Sequence, residues 1–213
     1  MSEKNNGICH IVGAAEINSL RLKKGENDII IAADGGQITL NNYGIVPDML
    51  IGDFDSSSMP TDRDNIIKLN PIKDITDTMR AVEYGEEQGY KSFLVYGGLG
   101  GRTSHTIANI QMMAEMAERG VKCSLVGDNE VLTVLHNGKI SFDSSSVGFV
   151  SVFSLNDRAL GVSESGLKYT LDNYTMTNNY PLGVSNEFIG ERATISVKDG
   201  SLLIIYSTNA EIE

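Results

Sequence analysis

Asp53 and Asp55, at the end of an apolar run, are the first residues of this sequence whose types and spacing suggest chemistry. Residues 49–52 read as a strand, and side chains two apart on an extended chain share a face, about 6 to 7 Å apart at about 3.3 Å per residue. At an effective dielectric of about 20, two carboxylates at that distance repel each other by about 2 to 3 kcal/mol. A divalent cation would relieve this repulsion. The alternative is a polar loop whose aspartates cap turns.

Other polar residues follow the neighbouring apolar runs. Asp34 precedes two glycines, Lys73 and Asp77 lead into a helical pattern, and the segment 97–102, here called the glycine loop, ends in Arg102. Ligands of open α/β sheets bind at the carboxyl ends of the strands, so we expect these residues to lie together. Each also has a plain structural interpretation: Asp77 as a helix-capping acid, Lys73 as a surface charge and the glycine loop as a tight turn.

The glycine loop has the features of a phosphate-binding site. Its backbone amides and the helix N-terminus that follows offer hydrogen-bond donors, and Arg102 can form a bidentate pair with phosphate oxygens. The sequence GGLGGR matches neither G-x-x-x-x-G-K-[ST] nor G-x-G-x-x-G. Of the scattered histidines only His105 lies near the loop; it is read first as a packing residue at a helix start and second as a substrate or phosphate contact.

Taken together, these residues indicate a site for a metal ion and a polyphosphate. Asp34, Asp53, Asp55 and Asp77 supply oxygen ligands, and the glycine loop and Arg102 supply positive charge and donors. The sequence shows no obvious nucleophilic Ser or Cys triad. Transfer between bound phosphates and an acceptor needs mainly alignment and charge neutralisation, which these residue types provide.

Two kinds of periodicity predict how these residues are positioned. Up to about residue 128, apolar runs alternate with helical patterns, as in an α/β domain with a largely parallel sheet. Short β-type runs then follow and predict an antiparallel β-sandwich, with KDGS at 198–201 as a hairpin turn between the last two strands. We therefore expect an α/β domain at 1–130 and a sandwich domain at 131–213. The predicted strands are 8–12, 28–33, 49–52, 66–69, 92–96, 122–126, 131–135, 139–142, 148–154, 167–171, 183–188, 193–197 and 202–206, and the predicted helices are 37–43, 76–88 and 103–119.

Composition excludes several classes of protein. The hydrophobic fraction of 41% supports a folded core, and the formal charge of −11 argues against nucleic acid or an anionic membrane as a partner. The N-terminal residues lack a signal-peptide pattern and no run approaches membrane-spanning length, so a cytoplasmic location is expected. Cys9 and Cys123 lie in apolar runs and are expected to be reduced core thiols.

The ordered motifs resemble those of the thiamin pyrophosphokinase family. They are ADGG at 33–36, PD at 47–48, IGDFDS at 51–56, KDITD at 73–77, the glycine loop, HTIAN at 105–109, GLKY at 166–169 and GVSNE at 183–187. The resemblance implies an α/β domain followed by a β-sandwich, and transfer of the pyrophosphoryl group of ATP to the hydroxyl of thiamin. It also implies a homodimer with the thiamin site at the subunit interface.

The resemblance also assigns roles to residues. It implies that Mg²⁺ is held by Asp53, Asp55 and Asp77, and that Asp34 lies beside the reacting hydroxyl as a possible base. Phosphates would be neutralised by Lys73 and Arg102, and the thiamin pocket would include Ser185 and Asn186, with Tyr169 nearby. The remaining substrate-binding candidates are Gly98, Gly100, Gly101 and His105.

One position departs from the family pattern. Members usually carry an acid between the Arg of the loop and the following His or Gln, where this chain has Ser104. Ser104 can cap a helix but cannot carry the charge. Two alternatives follow: pyrophosphoryl transfer to another hydroxymethyl heterocycle such as a pterin alcohol, or a nucleotide- or thiamin-binding module without turnover.

Overall fold

The computed structural model describes residues 6–53, 65–69, 75–210 and 212, and the chain divides into two compact units. The first unit comprises Met1–Met112 and Leu125–Asp128, and the second comprises Met113–Ser124 and Asn129–Glu213. Two of the predicted site residues, Asp55 and Lys73, lie outside the described residues. No helix in the described part of the chain is both long and apolar enough to span a membrane.

A parallel sheet flanked by helices forms the first unit, which confirms the α/β prediction. Its strands are β1 (Cys9–Val12), β2 (Ile29–Ala33), β3 (Met49–Gly52), β4 (Ile66–Lys68) and β5 (Ser92–Tyr96), in the order β5-β1-β2-β3-β4. The central strands are apolar without alternation because helices cover both faces of such sheets, and the side chains of β1 are all buried. The helices are α1 (Gly36–Asn42), α2 (Asp77–Glu87) and α3 (Thr103–Glu118), the last of which continues into the second unit.

The register of the sheet brings the predicted site residues to one edge. Val12 lies opposite both Ala32 and Tyr96, and Ala33 lies opposite Ile51. The residues that follow these positions therefore leave the sheet at the same level. Asp34 comes directly after β2, Asp53 directly after β3 and the glycine loop directly after β5.

The second unit is a sandwich of two antiparallel sheets, as predicted. One sheet has the order β12-β9-β14-β7 and the other the order β11-β10-β13-β8. Their facing side chains form one buried core that includes Phe142, Val152, Ile195 and Ile204. The strands are β7 (Glu130–His136), β8 (Lys139–Phe142), β9 (Phe149–Ser154), β10 (Arg158–Ser165), β11 (Leu171–Thr177), β12 (Gly183–Glu187), β13 (Ala193–Ser196) and β14 (Ser201–Ser207), while β6 (Lys122–Val126) has residues in both units.

Two predictions about the sandwich were wrong. The predicted strand at 167–171 is mainly a loop between β10 and β11, two strands that periodicity did not reveal. Both strands contain a residue at positive φ, Gly161 at +67° and Asn173 at +49°, and their pairing contains register shifts. Bulges of this kind interrupt the alternation of buried and exposed side chains on which the prediction depends.

The turn at 198–201 is not a hairpin. Strand β13 pairs with β8 and β10, whereas β14 pairs with β7 and β9 in the other sheet. A turn sequence shows that the chain changes direction, but it does not show which sheet the next strand joins. Both cysteines are buried and neither forms a disulfide, and burial raises the pKa of Cys123 to about 12.

Candidate active site

The first unit contains a cavity of about 450 Å³ at the carboxyl ends of its strands. Three of the predicted acids line it, Asp34, Asp53 and Asp77. The other predicted residues that line it are Gly98, Gly101, Arg102 and His105, whereas Gly100 does not. The structure therefore brings together seven of the residues singled out from strand ends and loop composition.

Asp34 holds an unusual backbone conformation at this cavity. Its φ is +51°, and its backbone N–H donates to the carbonyl oxygen of Ile51 at 2.9 Å. Asp and Asn tolerate this left-handed region better than most residues, because their short side chains bond locally. The turn also needs Gly36, whose added Cβ would lie 1.8 Å from the carbonyl oxygen of Val12. The sequence DGG thus fixes how the carboxylate of Asp34 leaves the sheet.

Asp77 is the first residue of α2, but it does not cap that helix. The N-cap is Thr76, whose hydroxyl accepts a hydrogen bond from the backbone N–H of Met79 at 3.1 Å. A carboxylate in the first turn is stabilised by the partial positive charge of the helix N-terminus. The first turn of α2 therefore places Asp77 at the cavity.

The glycine loop is built on close backbone contacts. Gly97 has a φ of +65°, and its added Cβ would lie 2.7 Å from the carbonyl oxygen of Gly13. The backbone N–H of Gly13 donates to Tyr96 at 2.7 Å, and that of Ala15 donates to Gly97 at 3.2 Å. The loops that follow β1 and β5 are thus joined through their main chains.

Helix α3 begins directly after the glycine loop. The buried side chain of Asn109 donates from Nδ2 to the carbonyl oxygen of Gly98 at 3.0 Å. This hydrogen bond fixes the backbone of the glycine loop to α3. Sequence reasoning quoted Asn109 within a motif but gave it no role. Ser104 is the second residue of α3, and the exposed side chains of Arg102 and His105 remain able to reach a ligand.

The other two predicted residues, Ser185 and Asn186, lie in the second unit on β12. Asn186 lines a cavity of about 250 Å³ with Glu164, Tyr169, Leu182 and other residues, whereas Ser185 does not. Ser185 is exposed, with a φ of +57°, and its N–H donates to the hydroxyl of Ser151 at 2.9 Å. Sequence reasoning missed Glu164, which reads as part of a polar segment, Ser163 to Ser165.

An α/β unit with acids and a glycine loop at one edge of its sheet, together with a β-sandwich unit, defines a phosphotransferase class of enzyme. Two family models match the chain, described as the thiamin pyrophosphokinase catalytic domain over residues 21–125 and the thiamin pyrophosphokinase vitamin B1 binding domain over residues 136–202. The chain belongs to the thiamin pyrophosphokinase family.

Individual relatives agree with the family models. Thiamine pyrophosphokinase of Bacillus subtilis is 29% identical over 192 residues, which cover 86% of this chain and 89% of that protein. The crystal structure of thiamine pyrophosphokinase from Bacillus subtilis superposes with a TM-score of 0.85 at 26% identity, covering 94% of this chain and 99% of that one. The crystal structure of thiamin pyrophosphokinase from Geobacillus thermodenitrificans has a TM-score of 0.81 at 29% identity, covering 94% and 97% of the two chains.

Proposed function

We propose that this protein transfers the pyrophosphoryl group of ATP to the hydroxyl of thiamin, giving thiamin diphosphate and AMP. The observation that carries the proposal is the agreement between the two family models and the site. The catalytic-domain model spans the strand ends that carry Asp34, Asp53 and the glycine loop, and these line one cavity with Asp77. ATP is the co-substrate.

The residues of the first unit have different roles in the proposed reaction. The glycine loop, with Gly98, Gly100 and Gly101, offers backbone amides to the phosphates, and Arg102 and Lys73 neutralise their charge. His105 contacts the nucleotide or the acceptor from the first turn of α3. Asp34 accepts the proton of the acceptor hydroxyl, for which its carboxylate at the cavity wall is suited. Asn109 keeps the glycine loop in place.

Mg²⁺ fits the donor set of this site. Asp53 and Asp77 line the cavity with carboxylate oxygens, and Mg²⁺ binds through one or two carboxylates together with substrate phosphates and water. We assign Asp53, Asp55 and Asp77 as its protein ligands. The bound ion would neutralise negative charge on the phosphates.

The second unit supplies the acceptor pocket. The vitamin B1 binding model covers β10, β11 and β12, which with neighbouring loop residues line a cavity of about 250 Å³ that combines Tyr169, Leu171 and Val184 with the polar side chains of Glu164 and Asn186. Ser185 does not line the cavity but lies between two lining residues, Val184 and Asn186, and we assign its exposed hydroxyl to thiamin at the mouth of the pocket, while Asn186 organises the pocket wall. The catalytic domain is residues 1–130 and the thiamin-binding domain is residues 131–213.

The proposed assembly is a homodimer with thiamin at the subunit interface. Exposed apolar side chains on the second unit support it, because Tyr169, Tyr180, Leu182 and Val184 are each at least 41% exposed. The proposed location is the cytoplasm, where cysteines stay reduced, as both buried cysteines of this chain are.

A product analysis tests the reaction. Purified protein is incubated with ATP, MgCl₂ and thiamin, and the products are separated by chromatography. We expect thiamin diphosphate and AMP in equal amounts, with none formed when EDTA is added. Thiamin monophosphate with ADP, or AMP formed without thiamin diphosphate, would contradict the proposed reaction. Multiple turnovers would exclude a binding module, and a competing pterin alcohol should not be phosphorylated.

A further inference from the structure

Glu164 is a carboxylic acid that the sandwich buries almost completely. It lies on β10, its exposed fraction is 2%, and it lines the cavity of about 250 Å³. Its Oε2 accepts a hydrogen bond from Nδ2 of Asn186 at 3.0 Å, while its Oε1 is buried without a hydrogen-bond partner among the described residues. A buried oxygen left without a donor is rare and destabilising, and in native proteins it calls for an explanation.

Asn186 cannot supply the missing interaction. Its Oδ1 accepts from the backbone N–H of Tyr169 at 2.9 Å and from that of Glu187 at 3.0 Å. Its Nδ2 donates to the carbonyl oxygen of Tyr169 at 2.7 Å as well as to Glu164. The Asn186 amide is therefore fully used within the sandwich.

Charged side chains of the neighbouring elements do not compensate Glu164 either. On β11 the only charged residue is Asp172, which is exposed, and β13 has none. On β12 the only one is Glu187, which pairs with Lys168 at 2.6 Å. Burial raises the pKa of Glu164, and the hydrogen bond from Asn186 offsets only part of that rise. The phenols of Tyr169 and Tyr174 are the other titratable groups on these segments, and neither carries positive charge.

The rest of the cavity suits a flat organic ring. Leu171, Leu182 and Val184 are among its lining residues, and the ring of Tyr169 is 62% exposed. Aromatic faces attract cations, and apolar walls strengthen any charge interaction within the cavity. An acid with no positive partner in the described part of the chain therefore lies in the wall of a cavity that also presents aromatic and apolar side chains.

We propose that Glu164 is a specificity-determining residue of this cavity, selecting a positively charged heterocycle over a neutral molecule of the same shape. The inference rests on the proposed function, because thiamin carries a permanent positive charge on its thiazolium ring. Burial raises the pKa of Glu164, so the empty cavity favours the protonated acid more than water does. When the cation binds to protein that carries the protonated acid, the O–H bond of Glu164 breaks, the proton passes to solvent, and the carboxylate pairs with the positive charge of the ligand.

Binding measurements with two ligands test this inference. The ligands are thiamin and an analogue in which a neutral thiophene replaces the thiazolium ring, titrated calorimetrically into wild-type protein, Glu164→Gln and Asp172→Asn. Glu164→Gln keeps the shape and the acceptor for Asn186 but cannot ionise, whereas Asp172→Asn removes an exposed carboxylate next to Leu171, the cross-strand partner of Glu164. We expect Glu164→Gln to weaken thiamin binding about tenfold or more. We expect less than about a twofold change for the neutral analogue, and no change for either ligand in Asp172→Asn.

The number of protons released on thiamin binding distinguishes an ionising role of Glu164 from a structural one, because a residue with only a structural role would not lose a proton. Titration of the wild-type protein with thiamin over a series of pH values upward from 4.5, in buffers of different ionisation enthalpy, should show a net release of protons that is absent in Glu164→Gln. This measurement needs only the wild-type protein if the variant folds poorly. Equal weakening of both ligands, unchanged thiamin affinity in the variant, or no proton release would each overturn the inference. If the protein forms thiamin diphosphate but Glu164→Gln weakens both ligands equally, only the inference about Glu164 is wrong. If Glu164 discriminates between the ligands but the protein forms no thiamin diphosphate, only the proposed reaction is wrong.

Discussion

The side-chain amide of Asn109 is bonded to the backbone carbonyl of Gly98 at 3.0 Å, and both residues are buried. This bond links the interior of α3 to the loop that contacts phosphate in the proposed reaction. The space around it is tight, because an added Cβ at Gly98 would lie 3.2 Å from Nδ2 of Asn109. The position of the loop therefore depends on Asn109, which also lines the cavity of about 450 Å³.

Replacing Asn109 should loosen this loop. In Asn109→Ala the carbonyl of Gly98 loses its donor in a buried setting, so we expect the free energy of unfolding to fall by about 1 to 3 kcal/mol. The KM for ATP should rise, since the loop amides lose their fixed positions. Gln111→Ala, at an exposed position on the same helix, is the control and should change neither quantity. An unchanged KM in Asn109→Ala would show that the bond serves stability alone.

Two substitutions at Asp34 should separate its backbone role from its chemical role. Asp34→Asn keeps a residue that tolerates a φ of +51°, so the melting temperature should change little, while the turnover number should fall by about 10² or more with the loss of the base. Asp34→Ala should lose activity to the same extent and also lose about 1 to 2 kcal/mol of stability. Turnover near the wild-type value in Asp34→Asn would exclude this residue as the base.

The metal assignment predicts a shift in the magnesium requirement. In Asp53→Asn and Asp77→Asn the MgCl₂ concentration that gives half-maximal turnover should rise at least about tenfold, because each variant removes one charged oxygen ligand. Turnover is measured across a series of MgCl₂ concentrations at a saturating concentration of free ATP. Glu26→Gln, an exposed acid of the same unit, should leave the curve unchanged. The same curve for Asp53→Asn and wild type would remove Asp53 from the ligand set.

Asp28 should make the first unit sensitive to acid. Burial alone would raise its pKa, but hydrogen bonds from the backbone of Ile8 and Gly25, together with the contact to His10, outweigh burial and lower the pKa below 3.8. Its stabilising contribution is therefore complete above pH 3.8 and is lost as the pH falls further. In Asp28→Asn the free energy of unfolding should fall less steeply between pH 4 and pH 2 than in the wild type. Parallel curves would show that other acids dominate this range.

Glu164 should change the pH dependence of stability in the opposite direction to Asp28. Because burial raises its pKa above 4.5, the folded state binds more protons than the unfolded state, and stability falls as the pH rises above that value. Glu164→Gln should therefore melt at a higher temperature than wild type at pH 8, and the difference should shrink toward pH 4. A variant that is less stable at pH 8 would show that the ionised carboxylate is favourably paired in the folded protein.

Sequence reasoning located the cavity of the first unit because parallel strands impose a simple geometry. Asp34, Asp53 and the glycine loop each follow an apolar run, and strands aligned in one direction bring such positions to one edge. The role of Asn109 could not be predicted, because a polar residue on a helix is expected to be exposed to solvent unless its hydrogen-bond partner is known.

The second unit was harder to predict because its chemistry depends on irregular backbone. Gly161 at positive φ breaks the alternation of β10, so Glu164 could not be recognised as a buried residue. The pairing of β13 and β14 with different sheets depends on contacts far apart in the sequence. Antiparallel sandwiches offer many such arrangements, and local turn residues do not choose among them.

The main-chain bonds that join Gly13, Ala15, Tyr96 and Gly97 have a consequence for protein engineering. This part of the cavity wall presents peptide groups, and peptide groups are the same whatever side chains surround them. If the proposed reaction is correct, libraries that vary Arg102 and His105 should change how the nucleotide is recognised without disturbing these main-chain bonds. Insertions or deletions in residues 13–15 or 97–101 would instead misalign that surface, and such libraries should yield few active variants.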